Sequence, residues 1–384
     1  MSQALSRRRL LLATGAAALA GCQPLGRLPA DGAAPLPQPS LRLIGEARIA
    51  HGARFEDTSV GGLSGLDYDA QGSRWFAISD DRHEINPSRF YTLRLPVSAT
   101  GIGPVEITDV AYLRQADGSL FAPRKGAGGV VADPEAIRWR PDTGTLLWTS
   151  EGDPALGLDP LLHEVRPDGR FVRAYAPPAH LMADREGRVG PKPNLAWEGL
   201  ALAPDGKTAW TAMEGALVQD GPEPTSLQRG GHCRIQQWDL AKGSVVAEFA
   251  YPRERMPATP VPPGAWADLG LSEILAVDAQ RLLVMERGYI TGYGVTVRLF
   301  LAWPASGSNT LGQLRLTPGN HQPMRKRLVA DLRTLKLAQL DNLEGMSWGP
   351  PLGAGLRSLV LMSDDNFSPR QVTQFLAFEW NENL

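Results

Sequence analysis

The sequence predicts an all-β fold, a single β-propeller, and three observations carry the prediction. A short motif opens a strand five times, and an acidic residue closes the strand that follows. About four short β-like runs follow each opening. No long apolar pattern of helical period interrupts the series. Self-similarity at a regular spacing is the mark of a repeat architecture, and a ring of four-stranded blades is the closed form available to such units.

The openings are Leu63-Ser64-Gly65-Leu66, Pro134-Glu135-Ala136-Ile137, Trp197-Glu198-Gly199-Leu200, Ser272-Glu273-Ile274 and Leu343-Glu344-Gly345-Met346. The closings are Asp80-Asp81-Arg82, Glu151-Gly152-Asp153, Glu214-Gly215, Glu286-Arg287 and Asp364-Asp365-Asn366. Openings lie 71, 63, 75 and 71 residues apart, counted from 64, 135, 198, 273 and 344. Opening to closing spans 16 residues in three repeats, 13 in the fourth and 20 in the fifth.

Candidate strands follow in order. The first repeat offers 65–69, 74–79, 90–96 and 105–113, and the second 136–140, 145–150, 161–166 and 171–176. The third offers 199–203, 208–213, 234–240 and 245–251, and the fourth 273–277, 281–285, 295–303 and 326–332. Turn sequences such as Asp69-Ala70-Gln71-Gly72 and Pro204-Asp205-Gly206-Lys207 separate first from second strands. The fifth repeat supplies 345–348, 358–362 and 371–380, so residues 41–49 are expected to complete it and close the ring. Five blades are counted. Six stay open, because the connections 100–131 and 174–195 have room for further strands. A β-sandwich or two smaller β domains is the rival, and the regular spacing argues against it.

Residues 1–21 read as an export signal. Arg7-Arg8-Arg9 forms a twin-arginine-like start, and the apolar stretch 10–20 is short for a bilayer span. Leu19-Ala20-Gly21-Cys22 looks like a lipobox with Cys22 as the lipidated residue, and 22–40 as a Pro/Ala-rich tether to a domain at 41–384. The expected place is the cell envelope, anchored by lipid alone, with the outer membrane favoured because Gln23 is not an aspartate. Lipidated Cys22 would leave Cys233 without a disulfide partner. The formal charge is −2, and −5 without the three arginines of residues 1–21. No basic stripe with interleaved aromatics offsets it, so nucleic acid is not an expected partner. A monomer acting on a small anionic substrate is.

In a propeller the start of each first strand and the end of each second strand share one mouth. Glu135, Glu198, Glu273 and Glu344 are therefore expected around the axis, with Asp80, Asp81, Glu151, Glu214, Glu286, Asp364 and Asp365 outside them. Packed carboxylates repel unless protons or cations relieve them, and oxygen clusters suit Ca²⁺. The expected metal ligands are Glu135, Glu198, Glu273, Glu344, Asp81, Glu151, Glu214, Asp364 and Asp365. Glu198, Glu344 and Asp80 are the catalytic candidates, and Arg82, Arg287 and Arg370 the candidates for gripping an anion. For any one acid, hydrogen bonding to neighbouring backbone is the plainer reading, and each arginine has the alternative of pairing with its neighbouring acid. No Gly-x-Ser-x-Gly elbow, P-loop lysine or zinc-ligand spacing is found.

At Gly62-Leu63-Ser64-Gly65-Leu66, Ile78-Ser79-Asp80-Asp81, Leu343-Glu344-Gly345-Met346 and Ser363-Asp364-Asp365-Asn366-Phe367, the chain resembles the phytase-like, or esterase-like, β-propeller family of secreted bacterial proteins. The likeness extends over nearly all of 40–384. That family is named by analogy to β-propeller phytases, six-bladed, calcium-dependent phosphomonoesterases with an acidic channel. The resemblance implies a secreted propeller with hydrolase activity. It does not imply phytate, since few lysines accompany the motifs. A non-catalytic propeller that binds a ligand or protein is the alternative function.

Overall fold

The computed structural model describes residues 39–126 and 128–382, so the signal, Cys22 and most of the tether lie outside the described residues. Five four-stranded antiparallel sheets form the blades of a propeller. Their inner strands are Leu63–Asp69, Pro134–Arg140, Trp197–Leu202, Gly270–Ala276 and Leu343–Gly353. No α-helix occurs among the described residues, and two short hairpins at 54–59 and 97–102 and a few 3₁₀ turns lie between the blade strands, with no sixth blade in the long connections. Five is the blade count.

Each blade buries both faces, and its sequence alternates accordingly. On the second strand of blade 1, Trp75 and Ala77 enter the cluster shared with blade 5, which contains Val360, Met362 and Phe375. Phe76 and Ile78, pointing the other way, enter the cluster with Ile137, Leu146 and Trp148 of blade 2. Comparable apolar wedges join blades 2 and 3, 3 and 4, and 4 and 5. The core is thus a ring of wedges, one between each pair of neighbouring blades.

Ser40–Ile49 forms the outer strand of blade 5, pairing antiparallel with Thr373–Asn381. Chain start and chain end therefore share one sheet. Removing residues 39–50 would bare the edge of Thr373–Asn381 and lose the half-buried Leu41, Leu43, Ile44 and Ile49. At about 1 kcal/mol for each of these side chains, a loss of about 4 kcal/mol is expected in thermal or urea unfolding. A peptide of residues 39–50 should restore part of it, and unchanged stability of the truncated protein would refute the closure.

Every inner strand slips register at the opening motif. The slips fall between Leu63 and Gly65, Pro134 and Ile137, Trp197 and Gly199, Leu271 and Glu273, and Leu343 and Gly345. Such bulges re-aim one side chain. The re-aimed positions are Ser64, Glu135, Glu198, Ser272 and Glu344. Tight axial packing follows: a Cβ on Gly65 would lie 2.5 Å from the Glu135 carbonyl of the next blade.

Register also corrects the fourth repeat. Leu271 pairs with Glu286, as Leu63 pairs with Ser79 and Trp197 with Met213. The opening position of blade 4 is therefore Ser272, one residue before Glu273. Its closing position is Arg287, one residue after Glu286. In strands a one-residue shift turns the side chain to the opposite face.

Candidate functional site

Two tiers of side chains surround the mouth. The upper tier is Ser64, Glu135, Glu198, Ser272 and Glu344, and the lower is Asp80, Glu151, Glu214, Arg287 and Asp364. The lower tier is placed by a repeated backbone contact. The N–H groups of Asp80, Glu151, Glu214 and Asp364 donate to the carbonyls of Gly62, Asp133, Ala196 and Asn342. The serines serve packing, since the Ser64 hydroxyl donates to the Glu135 carbonyl (2.8 Å) and that of Ser272 to Leu343 (3.4 Å). Gly270 clears space, because a Cβ there would sit 2.3 Å from Glu214 Oε1.

Six of the ten tier residues, Glu135, Glu198, Glu344, Asp80, Arg287 and Asp364, line a funnel of about 840 Å³ whose wall also includes Arg82 and Arg370. The acids are crowded. Burial first, then the charges of Glu198, Asp133 and Glu151, push the Glu135 carboxyl well above its usual range. Burial and Asp133 do the same to Glu151, and burial with Glu214 to Glu198. Burial, Asp364 and Glu344 raise Asp80, which keeps some contact with solvent. Asp364 is also raised well above its usual range by burial and by Glu344. Burial lifts Asp133 to about 6 against the pull of Arg82, and Glu214 to about 7 against that of Arg287.

Two guanidiniums answer this charge. Arg287 lies 2.7 Å from Glu344, 3.8 Å from Glu214 and 3.9 Å from Asp268. Arg82 lies 2.9 Å from Asp133 and donates to Asn194 Oδ1. Both are partly buried against their acids, and the acids outweigh that burial, holding both charges on more firmly than usual. Arg370 lines the funnel without an ion pair among the described residues.

Two overlapping carboxylate triads stand on the side of blades 2 and 3. Asp133, Glu135 and Glu151 form one, and Glu151, Glu198 and Glu214 the other, with ligand oxygens within 4.8 Å of one another in each. Asp133 and Glu151 are each 2% exposed. Glu151 Oε1 accepts from the Ala196 N–H at 2.5 Å, while Glu151 Oε2 and Asp133 Oδ2 have no hydrogen-bond partner. Buried carboxylate oxygens are costly when unpartnered. This donor set, all hard oxygen, fits a divalent cation such as Ca²⁺.

Several predicted site residues stand elsewhere. Glu273 is turned into the channel below, 2.7 Å from Arg138, so it does not join the ring at the mouth. Asp81 accepts from the N–H groups of Glu84, Ile85 and Asn86 and pairs with Arg89 at 2.8 Å, which uses up its oxygens in the loop. Asp365 accepts from Gly62 and Phe367 N–H. Glu286 accepts from Tyr251 and Glu254 and pairs with Lys326. All four are corrections to the expected ring: Glu273 drops down the axis onto Arg138, Glu286 leaves the opposite face of its strand toward Tyr251 and Lys326, and Asp81 and Asp365 turn into the loops. Asp133, Asn194, Asp268 and Asn342 were not anticipated. Asn342 donates to Glu344 at 2.8 Å. Asp133 and Asn342 hold equivalent places, two residues before an opening glutamate, a signal present in the sequence without an acidic recurrence to mark it.

Comparison with known proteins adds a family. The model for "Phytase-like: Esterase-like activity of phytase" matches residues 58–367. No curated protein matches the chain in sequence. Among solved structures, the catalytic domain of a Coprinopsis cinerea GH62 alpha-L-arabinofuranosidase is 11% identical, with 89% of this chain and 97% of that one covered and a TM-score of 0.47. The Pseudomonas aeruginosa periplasmic gluconolactonase PpgL is 14% identical over 84% and 86%, with a TM-score of 0.34. At such scores neither likeness carries an argument about chemistry.

Proposed function

Because the chain belongs to the phytase-like, esterase-like family, we propose that its acidic mouth hydrolyses a small anionic phosphoester or related ester with the help of a divalent cation, Ca²⁺ by the chemistry of the donors. One observation carries the proposal: two buried triads, with unpartnered oxygens on Asp133 and Glu151, reach the funnel wall through Glu135 and Glu198, where Arg82 and Arg287 also stand. Asp133, Glu135, Glu151, Glu198 and Glu214 would hold metal, which would supply charge neutralisation and a more acidic water.

The remaining roles fall to this chain's own side chains. Arg370, without an acid partner among the described residues, meets the anion first, and Arg82 and Arg287 receive it deeper in the funnel. An incoming anion competes with Asp133 for Arg82 and with Glu344 for Arg287. Asp80, whose carboxyl burial and the charges of Asp364 and Glu344 push well above its usual range, touches solvent and is placed to give a proton to a leaving oxygen. Glu344, fixed by Asn342, orients Arg287. We place the protein in the cell envelope, exported and held by lipid on Cys22, as a monomer without a nucleic-acid partner.

Assays on p-nitrophenyl phosphate, bis-p-nitrophenyl phosphate and short p-nitrophenyl esters, with Ca²⁺ and with EDTA, test the reading. Calcium-dependent turnover is expected, reduced about 10²-fold or more by Asp80→Asn, with a raised KM in Arg370→Ala. No turnover of any substrate, together with a melting temperature indifferent to calcium, would sink the enzyme and leave a non-catalytic binding propeller.

A further inference from the structure

Blade 4 departs from the other four at the mouth. In blades 1, 2, 3 and 5 the second strand stops at Ser79, Ser150, Met213 and Ser363, one residue before the closing acid. In blade 4 it runs from Leu282 to Ile290, three residues past Arg287, and turns tightly into Gly294–Trp303. A hairpin thus rises beside the funnel. The preceding segment pairs with it: the Asp268 N–H donates to the Tyr289 carbonyl at 2.9 Å, the Tyr289 N–H donates to Asp268 Oδ1 at 2.7 Å, and the Thr291 N–H donates to the Trp266 carbonyl at 3.0 Å.

This rim presents two aromatic rings to the funnel, Trp266 at 70% exposure and Tyr289 at 43%. Trp266 is the most exposed tryptophan among the described residues, whereas Trp75, Trp148 and Trp197 are core. It is also fixed in place. Its Nε1–H donates to Asp268 Oδ2 at 3.0 Å, and its carbonyl accepts the Thr291 hydroxyl at 2.7 Å. A small apolar cluster of Met256, Leu269 and Ile290 supports the hairpin beneath. An indole held rigid yet bare contributes little to folding and much to contact with a ligand. Tyr289 lies two residues from Arg287 on one strand, so both side chains leave the same face.

We propose that Trp266 and Tyr289 form a ring-binding platform, so that the preferred substrates carry a ring with an apolar face next to their anionic ester. The platform deepens the proposed hydrolase site and rests on it. The anion is drawn toward Arg287 and Arg370 while the ring settles on the indole, and this contact fixes which ester enters. An aromatic ring and the apolar face of a pyranose share this chemistry, and two probes separate them.

Isothermal titration of the calcium-loaded protein with methyl phosphate, phenyl phosphate and glucose 1-phosphate provides the test. At least one ring phosphate should bind about tenfold more tightly than methyl phosphate, and which one does so identifies the ring. Trp266→Ala should erase that ratio, Tyr289→Ala should reduce it, and Trp266→Phe should keep most of it. An equal ratio in Trp266→Ala, or no preference in the wild type, overturns the platform while binding of methyl phosphate leaves the site standing. Absence of binding by all three overturns both.

Discussion

Replacing Arg138 by methionine is expected to destabilise the propeller more than any change at the mouth. Arg138 leaves the inner strand of blade 2 and crosses the axis. Its Nη1 donates to the Leu66 and Ile137 carbonyls, and its Nη2 to those of Ile274 and Met346, so it ties blades 1, 2, 4 and 5 together. Nη2 also lies 2.7 Å from Glu273, and both side chains are almost wholly buried. Beneath the funnel, the pore is stoppered by one ion pair. Burial raises the Glu273 carboxyl to about 7, and Arg138 and the N–H groups of Leu200 and Ile274 hold it down to that level. Without Arg138 the carboxylate would be stranded in the axis, and losing one partner of a buried pair costs about 3–5 kcal/mol. The double change Arg138→Met with Glu273→Leu should recover part of this, since no charge remains, although the four carbonyls still lose their donor. Urea unfolding of the two variants beside the wild type decides the matter. A single variant within about 0.5 kcal/mol of wild type would show that the stopper contributes nothing.

The same pair shows what was legible in the sequence and what was not. Glu135, Glu198, Glu344, Asp80, Glu151, Glu214 and Asp364 were found because they recur at the same place in a repeating unit, and the fold brings those places to one axis. Blade 4 misled because an acid happens to flank each true position. Reading for carboxylates selects Glu273 and Glu286, and only strand pairing reveals that Ser272 and Arg287 hold the frame. The consequence is chemical: the lower tier has a cation built into its fifth position. Asp81 and Asp365 fail for a different reason, since a second acid after a strand end meets loop N–H groups before it meets the funnel. Trp266, Tyr289, Asn194 and Asp268 sit on an extended hairpin and on connections, where no repeat exists to expose them.

Calcium and pH are expected to act on stability in opposite directions. The crowded acids have carboxyls raised in the folded protein, Asp133 to about 6 and Glu214 to about 7, with Asp80, Glu135, Glu151, Glu198 and Asp364 also raised. Between the ordinary carboxyl range near about 4 and these values, the metal-free folded protein holds protons that the unfolded chain has released. Stability therefore falls as pH rises through this window, because the folded state binds more protons than the unfolded one. The contribution is fully present below about 4 and is lost by about 7 for the two groups with stated values. Arg82 pulls the Asp133 carboxyl down and Arg287 that of Glu214, while Asp268 pushes Glu214 up, and burial still leaves both raised. A divalent cation binds the deprotonated oxygens and competes with the protons, so its stabilising effect should grow over the same interval. Thermal unfolding with EDTA should show the midpoint dropping between about pH 5 and pH 8, and millimolar Ca²⁺ should restore it at the higher pH and do little at the lower. Glu151→Gln separates this from ordinary loss of a contact. Glutamine keeps the acceptor for the Ala196 N–H but removes the charge shared by both triads. The variant should be more stable than wild type in EDTA at pH 8 and gain less from calcium. A variant that is weaker in EDTA, or a calcium shift that is the same at both pH values, would mean that the triads are a structural hydrogen-bond network and do not hold a cation.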